Sequence, residues 1–303
     1  MTTEDKSAVA TQLGYDEDNW DNTQNTDANK ACPNGDPFIE FGQRHEDPSR
    51  KYRWWINYQW TQKSGTYAWG DGNMKSNFDP KQFWEIVGGS VTLKAFGSAQ
   101  DKCITSEIVL EDILGWGRYL VTARAENGTF ADLDPNSIFG LFTYQWGIAN
   151  PNDPGKDNPH REMDLLETIS STAQGRPGQA QFALQTAADN DGSIHRFRYE
   201  FDGNPINPEY ITAVMDWWDL GRGDRSVHFS VYNGDYSFEK LPPVPFKQWK
   251  VGQGENPALM NKVPVHTPSS KEHFHINFYL WQGKPPGRPQ AVTLTRFEYR
   301  PQL

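Results

Sequence analysis

Glu162-Met163-Asp164-Leu165-Leu166-Glu167 places three carboxylates and three large apolar residues in six positions. On a helix, at 100° per residue, Asp164 and Glu167 lie about 60° apart, but Glu162 points well away from both and the leucines form no stripe. On a regular strand Glu162 and Asp164 share one face, and Glu167 falls alone on the buried one, where an unpaired carboxylate is costly. One extra residue after Asp164 removes the conflict. A β-bulge there shifts the phase by one, so all three acids face the same way and Met163 with one leucine serves the core. The segment therefore reads as a bulged strand.

The rest of the chain agrees with a β reading. Ser90–Ala95, Arg118–Arg124, Val227–Tyr232 and Val292–Phe297 are short runs rich in branched and aromatic residues, set between Gly, Pro, Asn and Asp clusters. In the last of these, Val292, Leu294 and Arg296 are expected on one face and Thr293, Thr295 and Phe297 on the other. Asn127-Gly128 and Asn233-Gly234 read as turns. With 21 prolines and 26 glycines, long helices are excluded over most of the chain. Many strands without alternating helices predict an all-β, two-sheet antiparallel sandwich.

Residues 1–36 are rich in Asp, Asn and Thr and read as a loosely ordered extension; 37–303 has uniform texture and reads as a single β domain. The 12 Trp, 12 Tyr and 17 Phe can fill a core and also stack on sugar rings. Trp54, Trp55, Trp60, Trp69 and Trp84 are expected to divide between these two roles.

There are 39 acidic residues against 29 basic ones, for a net charge of −10, and no Lys/Arg stripe, which argues against nucleic acid as a partner. A neutral polysaccharide is indifferent to that charge. No run is long enough to span a bilayer, and Met1–Lys6 does not read as a signal peptide. Cys32 and Cys103 have no metal-type spacing and read as either one disulfide or two buried thiols.

A row of crowded acids suits glycosidic chemistry. A retaining glycosidase holds two carboxyl groups roughly 5–5.5 Å apart across the scissile bond. A third acid between them can hydrogen-bond the nucleophile, and three crowded acids cannot all ionise easily, which is expected to keep the proton donor's pKa raised. The alternatives at this level are a solvated acidic strand face and a calcium site.

The aromatic run Phe139-Gly140-Leu141-Phe142-Thr143-Tyr144-Gln145-Trp146-Gly147, followed by Asn158-Pro159-His160-Arg161 and the acidic segment, resembles glycoside hydrolase family 16, which includes lichenases, laminarinases, agarases and carrageenases. In the same order over roughly 85–300, Ser106-Glu107 with Gly115–Tyr119, Tyr210–Trp217 with Val227–Asp235, and Phe278–Gly283 with Phe297–Tyr299 resemble further strands of that family. The resemblance implies a β-jelly roll with a concave substrate cleft. It implies Glu162 as nucleophile, Asp164 as its hydrogen-bonding assistant and Glu167 as general acid/base. It implies sugar contacts from Glu107, His160, Tyr144, Trp146, Tyr279 and Trp281. It also implies a monomer, secreted or periplasmic by family habit, with no catalytic cofactor or catalytic metal and with an optional structural calcium whose ligands the sequence does not identify.

Three departures separate reaction from substrate. His160 stands where lichenases usually carry Trp, Val109 where they carry Arg, and Tyr279 where Asn is common. The expected substrate is β-1,3-1,4- or β-1,3-glucan. The alternatives are an algal galactan (agar or carrageenan type) and a glycan-binding or transglycosylase member of the fold. Three local matches carry less weight. His273 and His275 share a strand face with Asn277 and read as satisfied histidines rather than metal ligands; Arg222-Gly223-Asp224 and Asn127-Gly128-Thr129 read as turn sequence.

Overall fold

The computed structural model describes residues 38–57, 68–69, 72–73, 77–78, 89–97, 103–126, 128–145, 158, 160–169, 178–185, 195–201, 209–221, 224–280 and 286–302. The N-terminal extension, Cys32, Trp60, Trp84, Asn127, Trp146, Arg222, Gly223 and Trp281 lie outside these residues.

The strands, in chain order, are β1 (Phe38–Gln43), β2 (Lys51–Asn57), β3 (Ala68–Trp69), β4 (Gly72–Asn73), β5 (Asn77–Phe78), β6 (Val91–Gly97), β7 (Cys103–Leu110), β8 (Gly117–Ala125), β9 (Ser137–Tyr144), β10 (Met163–Thr168), β11 (Ala180–Leu184), β12 (Arg196–Tyr199), β13 (Tyr210–Gly221), β14 (Asp224–Asn233), β15 (Lys247–Val251), β16 (His273–Leu280) and β17 (Gln290–Pro301). Apart from the short β3–β4 pair and β5, which pairs with β7 in parallel, their pairing makes two antiparallel sheets. The first runs β12-β11-β10-β9-β16-β7-β2-β1 and the second β6-β17-β8-β13-β14-β15. The end of β6 also pairs with the start of β7, at Phe96–Ile104 and Gly97–Cys103, which links the two sheets.

Alternation explains why the sheets stack. In the first sheet Ile108, Leu110, Phe139, Leu141, Met163, Phe182, Leu184, Phe274, Ile276 and Phe278 point inward; in the second, Val121, Ala123, Ala213, Met215, Phe229, Val231, Val292 and Leu294 meet them in one continuous core. Aromatic pairs cross the gap between sheets: Phe182 stacks on Phe229 with centroids 5.7 Å apart, and Tyr119 on Phe274 at 5.3 Å. Trp54 and Trp217 are fully buried core residues. The result is the all-β sandwich of the jelly-roll type that the sequence predicts.

One detail of the sequence reading is corrected. Along β17 the apolar residues that join the core are Val292, Leu294, Phe297 and Tyr299, and Arg296 does not. The pairing with β8 slips between Leu294 and Arg296, so Thr295 is an extra residue and the alternation changes phase. Phe297 thereby enters the core and Arg296 turns outward to meet Glu298 and Asp235.

Candidate active site

The register of β10 contains the bulge that the acidic segment requires. Against β9, Asp164 pairs with Phe142 and Leu166 with Leu141; against β11, Asp164 pairs with Ala183 and Glu167 with Gln181. Three steps along β10 therefore match two on each neighbour. Met163, Leu165 and Leu166 all join the core. Both leucines are buried, where the sequence reading assigned only one. The bulge lets two consecutive side chains point inward, and this is what returns Glu167 to the side of Asp164.

The same registers define the face of the first sheet that turns away from the core. One row runs Gln181–Glu167–Gly140–Asn277–Glu107 across β11, β10, β9, β16 and β7. The next runs Arg196–Ala183–Asp164–Phe142–His275–Val109, starting from β12. Glu107, Glu162 and Asp164 are all buried, at 3%, 7% and 4% exposure, so the acids sit in a recess rather than on a solvated strand face.

Each carboxyl has identifiable partners. Glu167 accepts hydrogen bonds on both oxygens, from Gln181 Nε2 at 2.5 Å and from the Tyr279 hydroxyl at 3.1 Å. Asp164 Oδ2 accepts from Gln185 Nε2 at 2.7 Å, and Gln185 Oε1 accepts from Arg196 Nη2 at 3.0 Å. Glu107 meets His275 Nδ1 at 2.9 Å.

Glu162 is held through its backbone. Asn158 accepts from the Glu162 N–H at 3.0 Å and donates to the Glu162 carbonyl at 2.9 Å. The preceding Arg161 adopts φ of +51°, a left-handed conformation uncommon for a side-chain-bearing residue. Its buried guanidinium donates to the Val265 carbonyl and lies 4.0 Å from Glu272, which also pairs with His266. The seat of Glu162 is thus anchored to the 263–272 segment.

Burial raises the Glu162 carboxyl well above the ordinary carboxylate range, and the charges of Asp164 and Glu167 push the same way while Arg196 opposes. Burial likewise pushes Asp164 up to about 7, with Glu167 adding and Arg196 and Gln185 subtracting. These groups titrate together, so the protons belong to the row and not to one residue. Burial holds protons here first and crowding second, and the acids raised are Glu162 and Asp164, the expected nucleophile and its assistant rather than the expected proton donor.

His160 stacks face to face on Tyr144, with centroids 5.1 Å apart and planes 5° from parallel. His273 Nδ1 meets the Leu110 carbonyl at 2.8 Å, and burial lowers that ring to about 4. The His273/His275 pair therefore has a carbonyl and a carboxylate as partners. Among the described residues no three His, Cys, Asp or Glu side chains converge as a metal site, so no ligand set for a calcium ion is assigned. Nor, among them, is any helix long and apolar enough to cross a membrane.

The structure thus brings Glu162, Asp164, Glu167 and Tyr279 into one cluster, with Glu107 three strands from Glu167 on the same row. Sequence reading missed Gln181, Gln185, Arg196, Asn158, Arg161 and Glu272. Gln181 and Gln185, like Arg196 and Arg198, are spaced by even numbers along a strand, which is the one signal that they share a face.

Fold and site together define a class: a jelly-roll sandwich whose outward sheet face carries a bulged, partly protonated acidic row. Known structures share that fold. A glycoside hydrolase family protein from Mycobacterium thermorestibile is similar with a TM-score of 0.52 and 15% identity, over 82% of this chain and 92% of that one. The immunostimulatory antigen and pseudo β-1,3-glucanase of Mycobacterium tuberculosis is similar with a TM-score of 0.52 and 14% identity, over 88% and 96%. A laminarinase from a Flavobacterium species follows with a TM-score of 0.50 and 12% identity, over 82% and 93%. No protein-family model matches the sequence, and no curated protein does. At these identities the likeness establishes the fold.

Proposed function

We propose that this chain is a retaining endo-glycosidase of a β-linked polysaccharide, with β-1,3-1,4- or β-1,3-glucan as substrate. The observation that carries the proposal is the bulge after Asp164, which gathers three acids on one face while Met163, Leu165 and Leu166 stay in the core. A bulge spent on placing carboxylates together in a recess has no structural use that apolar residues would not serve better.

In this reading the proton shared by Glu162 and Asp164 rests on Asp164 when substrate binds, Glu162 attacks the anomeric carbon as a carboxylate, and protonated Glu167 gives its proton to the departing oxygen. The C–O bond to the leaving sugar breaks and a glycosyl ester forms on Glu162. Water then attacks the same carbon, giving its proton to Glu167, and Glu162 leaves as a carboxylate. Asp164 holds the proton retained by the row and donates it to Glu162. That bond supports the carboxylate as a nucleophile in the recess and as a leaving group in the second step. The Tyr279 hydroxyl, both donor and acceptor, can reverse its bond as Glu167 changes protonation state. Glu107, with the stacked Tyr144 and His160, is the proposed wall for sugar rings.

The test is turnover of mixed-linkage glucan, laminarin, agarose, carrageenan and xyloglucan by wild type and by Glu162→Gln. Reducing-end release by wild type on a glucan, abolished in a folded Glu162→Gln protein, supports the reading; equal activity in the variant sinks it. Inverted anomers in an early NMR time course refute retention. Glycan binding without turnover by wild type would make this a binding member of the fold.

A further inference from the structure

Arg196 lies on β12, two strands from the acidic row, and reaches it through one side chain. Its Nη2 donates to Gln185 Oε1 at 3.0 Å, and Gln185 Nε2 donates to Asp164 Oδ2 at 2.7 Å. We infer that Arg196 is a positioning residue for the proposed reaction: through the Gln185 amide it fixes which oxygen of Asp164 carries the proton shared with Glu162. The inference rests on the functional reading above.

The argument is one of donor and acceptor inventory. A primary amide has two ends of nearly equal shape, one accepting and one donating. Guanidinium has donors only, so beside Arg196 the amide must present Oε1. Nε2 is then turned to Asp164, where it can only donate. A carboxyl oxygen that accepts an N–H bond is the unprotonated one. Any proton held by Asp164 therefore resides on Oδ1, the oxygen left for the acidic row. Without Arg196 the amide can turn over and offer Oε1 to Asp164. The proton then moves to Oδ2, toward Gln185 and away from Glu162.

Among the described residues, the charged and titratable groups on the face around Asp164 are Glu162 and Glu167 from its own segment, Arg196 from β12, and Tyr279 and His275 from β16, with Tyr144 of β9 beside His275. The described residues of β11 and the one after it contribute neutral groups, Gln181, Ala183 and Gln185. Arg196 is the one cation among those whose charge acts on both Glu162 and Asp164, and it opposes the burial of each.

The test compares Arg196→Met, Arg196→Lys, Gln185→Leu and the Arg196→Met/Gln185→Leu double variant. The relay predicts that Arg196→Met lowers kcat by about tenfold to a hundredfold with little change in KM, because the acids remain but their orientation is lost. It predicts that the acid limb of the kcat/KM profile moves to higher pH. Arg196→Lys restores that limb but only part of kcat, since ammonium keeps the charge without the fixed fork. In the Gln185→Leu background, Arg196→Met costs little more. A kcat loss that persists undiminished in that background, or an unmoved pH profile, overturns the relay. If wild type turns over no glycan, the functional reading fails separately. The relay is then read by carbon-13 NMR of the Asp164 carboxyl, assigned with Asp164→Asn. A titration moved to higher pH by Arg196→Met supports it, and one identical to wild type overturns it.

Discussion

The Tyr279 hydroxyl donates to Glu167 Oε1 although β9 lies between their strands. The β9 residue opposite Glu167 is Gly140, so no side chain stands between them. Tyr279→Phe removes one of the two hydrogen bonds seen on Glu167 and leaves the ring. We expect kcat to fall by about tenfold, with a stability loss of about 1 kcal/mol, checked by steady-state kinetics and a thermal melt. An unchanged kcat would place Tyr279 outside the chemistry.

Gly140 itself is constrained by space. A Cβ there would sit 2.5 Å from Asn277 Oδ1. Gly140→Ala should displace Asn277 and cost roughly 1–3 kcal/mol. Pairing it with Asn277→Ala should return part of that loss, which a comparison of denaturation midpoints for the single and double variants measures.

Arg161 and Glu272 are both buried and near each other, with side chains 2% exposed. Removing Arg161 leaves the buried Glu272 carboxylate with His266 but without its guanidinium. Arg161→Met should destabilise the fold by about 3–5 kcal/mol, while adding Glu272→Gln should recover much of it. Urea denaturation of the three proteins gives the coupling. The recovered double variant should still have reduced activity, because the anchor behind Glu162 is gone.

Stability should depend on pH in a stated direction. Asp164 is raised from 3.8 to about 7, so the folded chain binds more protons than the unfolded one in that window. The associated stability is full below pH ~4 and is lost as pH rises through about 7, up to roughly 4 kcal/mol. His273, lowered from 6.5 to about 4, acts oppositely: its contribution is present above its unfolded value and is lost as pH falls through about 4. The difference between wild type and Asp164→Asn reads the share that Asp164 contributes to the row. Melting temperatures from pH 4 to 8 should show a fall in wild type that is smaller in the variant, where buried Glu162 remains raised.

The acidic row was legible because its spacing conflicts with both regular structures, and only a bulge reconciles Glu162, Asp164 and Glu167 with buried leucines. The bulge at Thr295 was not legible: Val292–Phe297 fits simple alternation, and nothing local marks the slip that exposes Arg296. The partners of the acids were hidden for a different reason. Gln185 and Arg196 reach Asp164 across sheet registers, and Glu272 meets Arg161 from 111 positions later in the chain (272 − 161). Such contacts are made by topology and leave no pattern within a sequence window. Tyr279 was picked out as a departure from the family residue; its bond to Glu167 was not foreseeable.

The last two strands, β16 and β17, fill the middle of the two sheets, between β9 and β7 and between β6 and β8. A nascent chain that stops before residue 273 therefore has two gaps where the final strands belong, and the 263–272 anchor for Glu162 is only just made. Neither sheet can close during synthesis until residues 273–301 have emerged from the ribosome. Until then four strand edges are open to pairing with other chains. Truncations that remove β16 or β17 should cost more folded protein than deletions in the described loops.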